Sequence, residues 1–223
     1  RKLPATVLLQ AFGMDSKTIL GTYYPIEKIT IGKDSRCFMG SKNLMVGFKV
    51  KEDVIDPKTD NVLLKSGKKV TVGVGKKLVA MSRSSKIEIE EESLIGRYLY
   101  KEIIDPETGE VEVEANQEIT ESIFEIIKKN KLGEIQILRI DEESSDTTIR
   151  DTLFAAKTET QDDAIREVYK RLRPGDPPTP DIARSLFSNL FFNPKRYNLS
   201  VVGRIKMNQK FGLDVSLENR LLT

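Results

Sequence analysis

The sequence contains no histidine, a single cysteine and no long apolar run. The absence of histidine excludes Ser/His and Cys/His catalytic triads, the common zinc sites and histidine general-base catalysis. The lone Cys37 excludes an internal disulfide and fits a reducing, cytoplasmic compartment; we interpret it as a small packing residue. No stretch approaches the roughly 20 apolar residues that span a bilayer, so we expect neither a membrane protein nor a membrane partner.

The chain has 223 residues, of which 39% are hydrophobic and 31% charged, as in one large or two small globular domains. It begins Arg1-Lys2 without methionine or an apolar export segment, so we expect a piece of a longer protein. The net charge of +2 is unevenly distributed, because residues 88–146 carry 18 acidic and 6 basic side chains. That acidic stretch would repel nucleic acid, so any contact with nucleic acid should come from the flanking residues.

Residues 166–210 form the basic end of the chain, with ten Lys and Arg against three acids and a local charge of +7. This composition is typical of a phosphate-facing surface, although solvated helix faces have it too. Prolines make 173–179 a rigid connector, and Thr179-Pro180 predicts a helix N-terminus. The helix should bury one apolar face before Asn193-Pro194 stops it. That face comprises Ile182, Leu186, Phe187, Leu190 and Phe191.

Lys195-Arg196-Tyr197 is predicted to form a short exposed corner after this helix. Asn198 or Ser200 should cap the next helix, in which Leu199, Val202 and Ile205 are predicted to form a core stripe.

Further helices are predicted near the N-terminus and before the basic end. Pro4 should open one that Gly13 closes, and Asp15 or Ser16 should cap another that ends near Tyr23. Residues 148–154 are predicted to be extended. Residues 162–172 should form an amphipathic helix with a buried stripe, namely Ile165, Val168, Tyr169 and Leu172.

The middle of the chain is predicted to form a β-rich module with an internal repeat. Short strands are predicted at 29–31, 44–50, 62–64, 70–74, 87–89 and 134–140. VIDPKTDNV from Val54 and IIDPETGEV from Ile103 align without a gap at an offset of 49, so the repeat covers about 51–78 and 100–127. Each copy is predicted to form a strand, an Asp-Pro turn and a second strand, followed by a Thr that can cap a helix. In the second copy a helix is predicted over 121–129.

Carboxylates at the two Asp-Pro turns raise the question of a metal site. Asp56 with Asp60, or Asp105 with Glu107, has the spacing of ordinary turn chemistry, in which an aspartate binds its own backbone. We therefore predict neither a metal site nor a cofactor.

Four stretches carry a resemblance to a known family. RPGDPPT, SLFSNLFFNPKRYNLS, VVGRIKMNQ and the opening RKLPATVLLQAFGM resemble, in order and spacing, the lobe region of the bacterial DNA-dependent RNA polymerase β subunit. The match covers roughly 1–20 and 148–213.

The resemblance implies an α+β chain in which a helical lobe fragment, 1–20 together with 147–223, is interrupted by an inserted β-rich module, 21–146. Such insertions differ between bacterial lineages, and residues 87–137 also resemble inserted segments of proteobacterial β subunits. Residues 32–85 carry less resemblance.

For function, the resemblance implies a wall of the DNA channel near the upstream edge of the transcription bubble. Arg173 would lie near the non-template strand and Arg196 near promoter DNA, with Arg171, Lys195 and Lys206 as weaker candidates. The implied partners are DNA, both duplex and non-template strand, the other polymerase subunits, sigma factor, and regulators on the insertion. Catalytic residues and magnesium of the parent nucleotidyltransferase would lie outside this chain, so the chain alone should be inactive.

Two other readings of the residues stay open. Arg196 also fits a plain solvent-exposed turn cation. The whole chain, or its inserted module, also fits a protein-docking platform without any nucleic-acid role, whereas nothing supports an independent enzyme.

Overall fold

A computed structural model describes residues 2–32, 38–41, 46–56, 59–80, 86–140 and 147–222. Within them the chain combines helices with short antiparallel strands, which confirms the α+β class. Cys37 and residues 141–146 lie outside the described residues. In the part of the chain that is described, no helix is long and apolar enough to cross a membrane.

The elements are numbered in chain order. The helices are α1 (Ala5–Ala11), α2 (Ser16–Tyr23), α3 (Val72–Ala80), α4 (Glu121–Lys129), α5 (Thr148–Ala156), α6 (Gln161–Leu172), α7 (Pro180–Phe191) and α8 (Val201–Phe211). The strands are β1 (Ile26–Ile31), β2 (Phe38–Ser41), β3 (Val54–Ile55), β4 (Val62–Leu64), β5 (Lys86–Ile89), β6 (Tyr98–Leu99), β7 (Ile103–Ile104), β8 (Val111–Val113) and β9 (Glu134–Leu138).

The chain divides into two compact units. Unit 1 comprises Arg1–Ser16 and Ala155–Thr223, and unit 2 comprises Lys17–Phe154. The divisions fall after residues 16 and 154, where the sequence suggested 20 and 146. A central unit is thus flanked by two segments that fold together.

Unit 1 is helical, and its core lies among α1, α6 and α7. Val7, Ile165 and Phe187 are buried there, together with Tyr169. The predicted start signals hold: Pro4 precedes α1, and the Thr179 side chain accepts a hydrogen bond from the Ile182 amide with proline at the first helical position. The Thr179 cap therefore fixes where α7 begins, whereas Pro4 starts α1 without a side-chain cap.

Two predicted apolar faces of unit 1 are wrong. Ile182 and Leu190 on α7 are 50% and 40% exposed, so the buried face of α7 is narrower than predicted. On α8, Val202 is 61% and Ile205 36% exposed, while Arg204 is fully buried. The Arg204 guanidinium donates hydrogen bonds to the backbone carbonyls of Asn219 and Leu221, and these bonds hold the Arg204 side of α8 against the rest of the unit. Leu172, at the end of α6, is also exposed.

Unit 2 is organised around an antiparallel sheet with strand order β5-β2-β1-β9-β6. The β1–β9 pairing runs from Ile26 opposite Leu138 to Thr30 opposite Glu134. On the other side β2 pairs with β5, with Phe38 opposite Ile89. The sheet therefore brings the beginning and the end of unit 2 side by side.

The two copies of the predicted repeat have the same backbone pairing. The β3–β4 and β7–β8 hairpins have the same register and the same irregularity at an offset of 49 residues. The paired residues are Val54–Leu64 and Ile55–Val62 in the first copy, and Ile103–Val113 and Ile104–Val111 in the second. The turns match too, since the amide of Asp60 donates to the Asp56 carbonyl as that of Gly109 does to Asp105. Pro57 and Lys58 lie outside the described residues.

The duplication extends beyond the hairpins. Helices α3 and α4 both begin and end at the same offset of 49, and Leu78 and Ile127, one on each helix, are both fully buried. Each copy also adds its last strand, β5 or β9, to the central β1–β2 pair. The sheet is therefore approximately symmetric about β1 and β2.

Three strand predictions are wrong. Residues 70–74 enter α3, because Thr71 caps the Val74 amide and the helix buries Leu78. Residues 148–154 lie in α5, where the Arg150 guanidinium stacks 3.7 Å above the Tyr98 ring and Leu153 is buried, so tertiary contacts override β-branched propensity. Within 44–50, the described part forms only isolated bridges at Lys49 and Val50.

Candidate nucleic-acid interface

The basic end of the chain lies in unit 1, and ion pairs within the unit occupy part of its charge. Arg184 binds Asp162 through two nitrogens, with 2.8 Å between Nε and Oδ1, and this bond lowers the pKa of Asp162. Arg166 pairs with Asp163. The surface available to a phosphate is consequently smaller than the count of ten cations suggests.

Arg171, a weaker candidate, is held inside the unit. Its Nε lies 3.1 Å from a Glu167 carboxylate oxygen and its Nη1 3.0 Å from the Lys2 carbonyl oxygen. The side chain is half-buried, so this arginine fastens the N-terminal segment to α6. It presents less charge to an outside ligand than an exposed arginine would.

Arg173 lies at the C-terminal end of α6 with its side chain exposed. Its amide donates to the Tyr169 carbonyl at 2.8 Å, while the Tyr169 hydroxyl donates to Asp176 at 2.5 Å. The bond to Asp176 raises the pKa of Tyr169, and the Arg173 guanidinium acts in the opposite direction, which places its charge near this pair. The Tyr169–Asp176 bond thus holds the loop that carries Arg173.

Lys195 and Arg196 form the predicted exposed corner after α7, and hydrogen bonds to Asn193 hold its backbone. The Asn193 side chain accepts a hydrogen bond from the Lys195 amide at 2.9 Å, and the Asn193 carbonyl accepts one from the Arg196 amide at 3.0 Å. Its own amide group donates to Asn189 at 2.5 Å. The corner therefore has a fixed backbone and two exposed cations.

Lys206 is exposed on α8. Among the described residues, no carboxylate lies within ion-pair distance of Lys195, Arg196 or Lys206. These three side chains carry charge that the unit itself does not neutralise.

Two features of this surface have no signal in the sequence. Phe12 and Phe192 are 40% and 42% exposed, at the edge of an aromatic cluster in which Phe12 lies 4.9 Å from Phe191 between ring centroids. Exposed aromatic rings are a common feature of surfaces that bind single strands. Buried Arg204 is the second feature, and it removes one cation from the surface.

The described part of the chain contains no group of three or more His, Cys, Asp or Glu residues that could hold a metal ion. The side chain of Asp105 instead accepts a hydrogen bond from the Glu107 amide at 2.8 Å, which lowers the pKa of its carboxyl. The predicted turn chemistry at Asp105 is confirmed.

The sequence that carries these exposed cations is similar to known proteins. The model of the family RNA polymerase Rpb2, domain 2, matches residues 148–223, which include all five predicted site residues. The DNA-directed RNA polymerase β subunit of Anaeromyxobacter sp. (strain Fw109-5) is 41% identical over 238 residues, covering 100% of this chain and 17% of that protein. The chain belongs to the bacterial RNA polymerase β-subunit family.

Two further β subunits show the same extent of similarity. That of Syntrophotalea carbinolica is 42% identical over 223 residues, and that of Nitratidesulfovibrio vulgaris is 38% identical over 224. Each match covers 100% of this chain but only 16% of the relative. Unit 2 therefore has counterparts in these β subunits, although the family model begins only at residue 148.

Proposed function

We propose that unit 1 forms part of the DNA-channel wall of a bacterial RNA polymerase and holds the duplex and the non-template strand near the upstream edge of the bubble. The observation that carries this proposal is the position of exposed Arg173 and Arg196, on backbones fixed by hydrogen bonds, inside the stretch that matches the family model. The magnesium and catalytic residues of the polymerase would lie outside this chain, which alone would be inactive.

Arginine suits both proposed contacts. Its planar guanidinium binds a phosphate through two parallel hydrogen bonds or stacks on an unpaired base. Arg173 faces the non-template strand in this proposal, and Arg196 faces promoter DNA, with Lys195 and Lys206 adding charge. Because the backbones of Arg173 and Arg196 are already fixed, binding has to order only the side chains.

We expect Arg173→Ala and Arg196→Ala, in the complete polymerase, to shorten the lifetime of open promoter complexes while leaving nucleotide addition unchanged. Each variant loses a charge-assisted contact of about 1.5 to 3 kcal/mol, which corresponds to a lifetime shortened roughly 10- to 150-fold. A phosphate contact would reduce the salt dependence by about one counterion per arginine on every promoter. A base contact of Arg173 would instead make the loss vary with the non-template sequence.

Arg184→Ala is the matched control, because it removes the same charge from the same region but from a side chain already bound to Asp162. Its open complexes should keep nearly normal lifetimes. If Arg173→Ala and Arg196→Ala behave like Arg184→Ala, the proposed DNA contacts are wrong.

Unit 2 supports a second proposed role, that of a docking surface for proteins. Residues 88–146, all of which belong to unit 2, carry 18 acidic and 6 basic side chains, and such a surface repels DNA while attracting basic proteins. Regulators are the proposed partners of unit 2, while sigma factor and the other polymerase subunits are proposed partners of the chain as a whole. If only this role holds, deletion of unit 2 would change the response to regulators and leave DNA binding intact.

A further inference from the structure

The two hairpins of unit 2 each expose an apolar pair at equivalent positions. Ile55 and Val62 are both 48% exposed, and their counterparts Ile104 and Val111 are 44% and 55% exposed. The neighbouring pair of the second hairpin, Ile103 and Val113, is buried and fastens the hairpin to the core. The outer pairs thus keep about half of their surface available for contact with another molecule.

In the second copy a groove lies beside Ile104. The groove has a volume of about 300 Å³, at the lower end of the range for ligand pockets. Ile104 lines it together with Leu132, and the buried Leu99, Ile103 and Ile135 contribute the rest of its apolar lining. It is the kind of site that accepts a large apolar side chain.

The charge around the groove is negative. Residues 102–118 carry seven acidic side chains and no basic one, whereas the equivalent residues 53–69 carry three acidic and four basic ones. Glu102, Glu134 and Lys101 are the charged residues that line the groove. Within the unit, Lys28 lies 3.7 Å from Glu134, and Lys129 lies 3.4 Å from Glu112 on β8. Most of the acidic charge on this hairpin is left for an outside partner.

We propose that this groove docks a basic protein segment that inserts one large apolar side chain beside Ile104. The proposal rests on the docking role proposed for unit 2 and specifies its site and the chemistry of its partner. Charge complementarity selects the partner: lysines and arginines of the segment meet the acidic hairpin, while nucleic acid is repelled. Burial of the apolar side chain supplies affinity that salt does not screen.

The two copies provide the test and its control in one molecule. The probe is a fluorescein-labelled twelve-residue peptide in which lysines surround one central phenylalanine, with a second peptide in which serine replaces the phenylalanine. Binding to the complete polymerase is measured by fluorescence anisotropy. The variants are Ile104→Ser, the equivalent Ile55→Ser in the first copy, and a polymerase in which a short Gly/Ser linker replaces residues 24–145.

We expect the phenylalanine peptide to bind, Ile104→Ser to weaken it about ten-fold or more, and Ile55→Ser to change it less than two-fold. The serine peptide should bind as weakly to the unaltered polymerase as the phenylalanine peptide does to the Ile104→Ser variant. Absence of binding, equal effects of the two substitutions, or equal binding of the two peptides would each overturn the proposal.

Failure of this proposal can be told apart from failure of the proposed functions. Binding that survives Ile104→Ser but disappears with residues 24–145 would leave a docking role for unit 2 and reject this groove. Ile104→Ser should leave open-complex lifetimes unchanged, and Arg173→Ala should leave peptide binding unchanged, so the DNA contacts are tested separately.

Discussion

Replacing Glu27 by glutamine is expected to stabilise unit 2 at neutral pH by about 3 kcal/mol. Glu27 is fully buried on β1, and neither of its carboxylate oxygens has a hydrogen-bond partner among the described residues. Burial raises the pKa of Glu27 from 4.5 to about 8, although the positive charges of Arg97 and Arg139 oppose the shift. A buried ionisable group in this position costs stability whenever the unfolded chain can ionise it.

The expected effect depends on pH in a definite direction. Below pH 4.5 Glu27 is protonated in both states and costs nothing by this route. Between pH 4.5 and about 8 the unfolded chain loses the proton and the folded unit keeps it, so stability falls with rising pH by about 1.4 kcal/mol per unit. The cost is complete above pH 8. Glutamine cannot ionise, so the benefit of the substitution grows from pH 5 to 8.

Urea unfolding of the chain at several pH values between 5.5 and 8.5 measures this dependence. Glu110→Gln is the control, because Glu110 is exposed on the turn of the second hairpin and its loss should change stability by less than about 0.5 kcal/mol. A Glu27→Gln variant whose stability falls with pH as steeply as that of the unaltered chain would contradict the burial argument.

Arg204→Met is expected to destabilise unit 1 by about 3 kcal/mol and to release the segment after α8. The Arg204 Nε donates to the Asn219 carbonyl at 2.9 Å, and its Nη2 donates to the Leu221 carbonyl. Methionine fills similar space but donates nothing, so two charge-assisted bonds are lost and their carbonyls are left without these donors. Arg204→Lys should recover part of the loss, since an ammonium lacks the fork that reaches both carbonyls.

Thermal unfolding and limited proteolysis together measure this effect. The melting temperature should fall, and cleavage within residues 213–222 should become much faster. Lys206→Met, two residues away on the exposed side of α8, removes the same charge and should change neither quantity. Equal behaviour of the two variants would mean that buried Arg204 does not hold this segment.

Features set by neighbouring residues were predictable from the sequence. The helix starts at Thr179 and Ser200 follow from side-chain capping, and the start at Pro4 follows from the restricted backbone of proline. Both hairpins follow from the Asp-Pro turns at an offset of 49. In each case the atoms that decide the conformation lie a few residues apart. The exposed corner at Lys195 and Arg196 belongs to this class.

Features set by distant contacts were not predictable. Alternating valines at 70–74 fit a strand as well as the first turn of α3, and only the packing of that helix decides between them. From the sequence Arg204 is expected to be a surface cation, but in the structure residues 219–221 cover it and accept its hydrogen bonds. The groove beside Ile104 is likewise formed by residues from 99 to 136, which no periodic pattern connects.

The pairing of β1 with β9 has a mechanical consequence for unit 2. Both connections to the unit leave from the same end of this strand pair, where Ile26 faces Leu138, the Pro25 carbonyl accepts from the Arg139 amide at 2.9 Å and Tyr24 accepts from the Arg150 amide. A force that separates the two connections would therefore load these hydrogen bonds one after another, as in a zipper, rather than all together in shear. Unit 2 should yield to pulling at low force, beginning at Pro25, while the far end of the sheet at Thr30 and Glu134 stays closed longest.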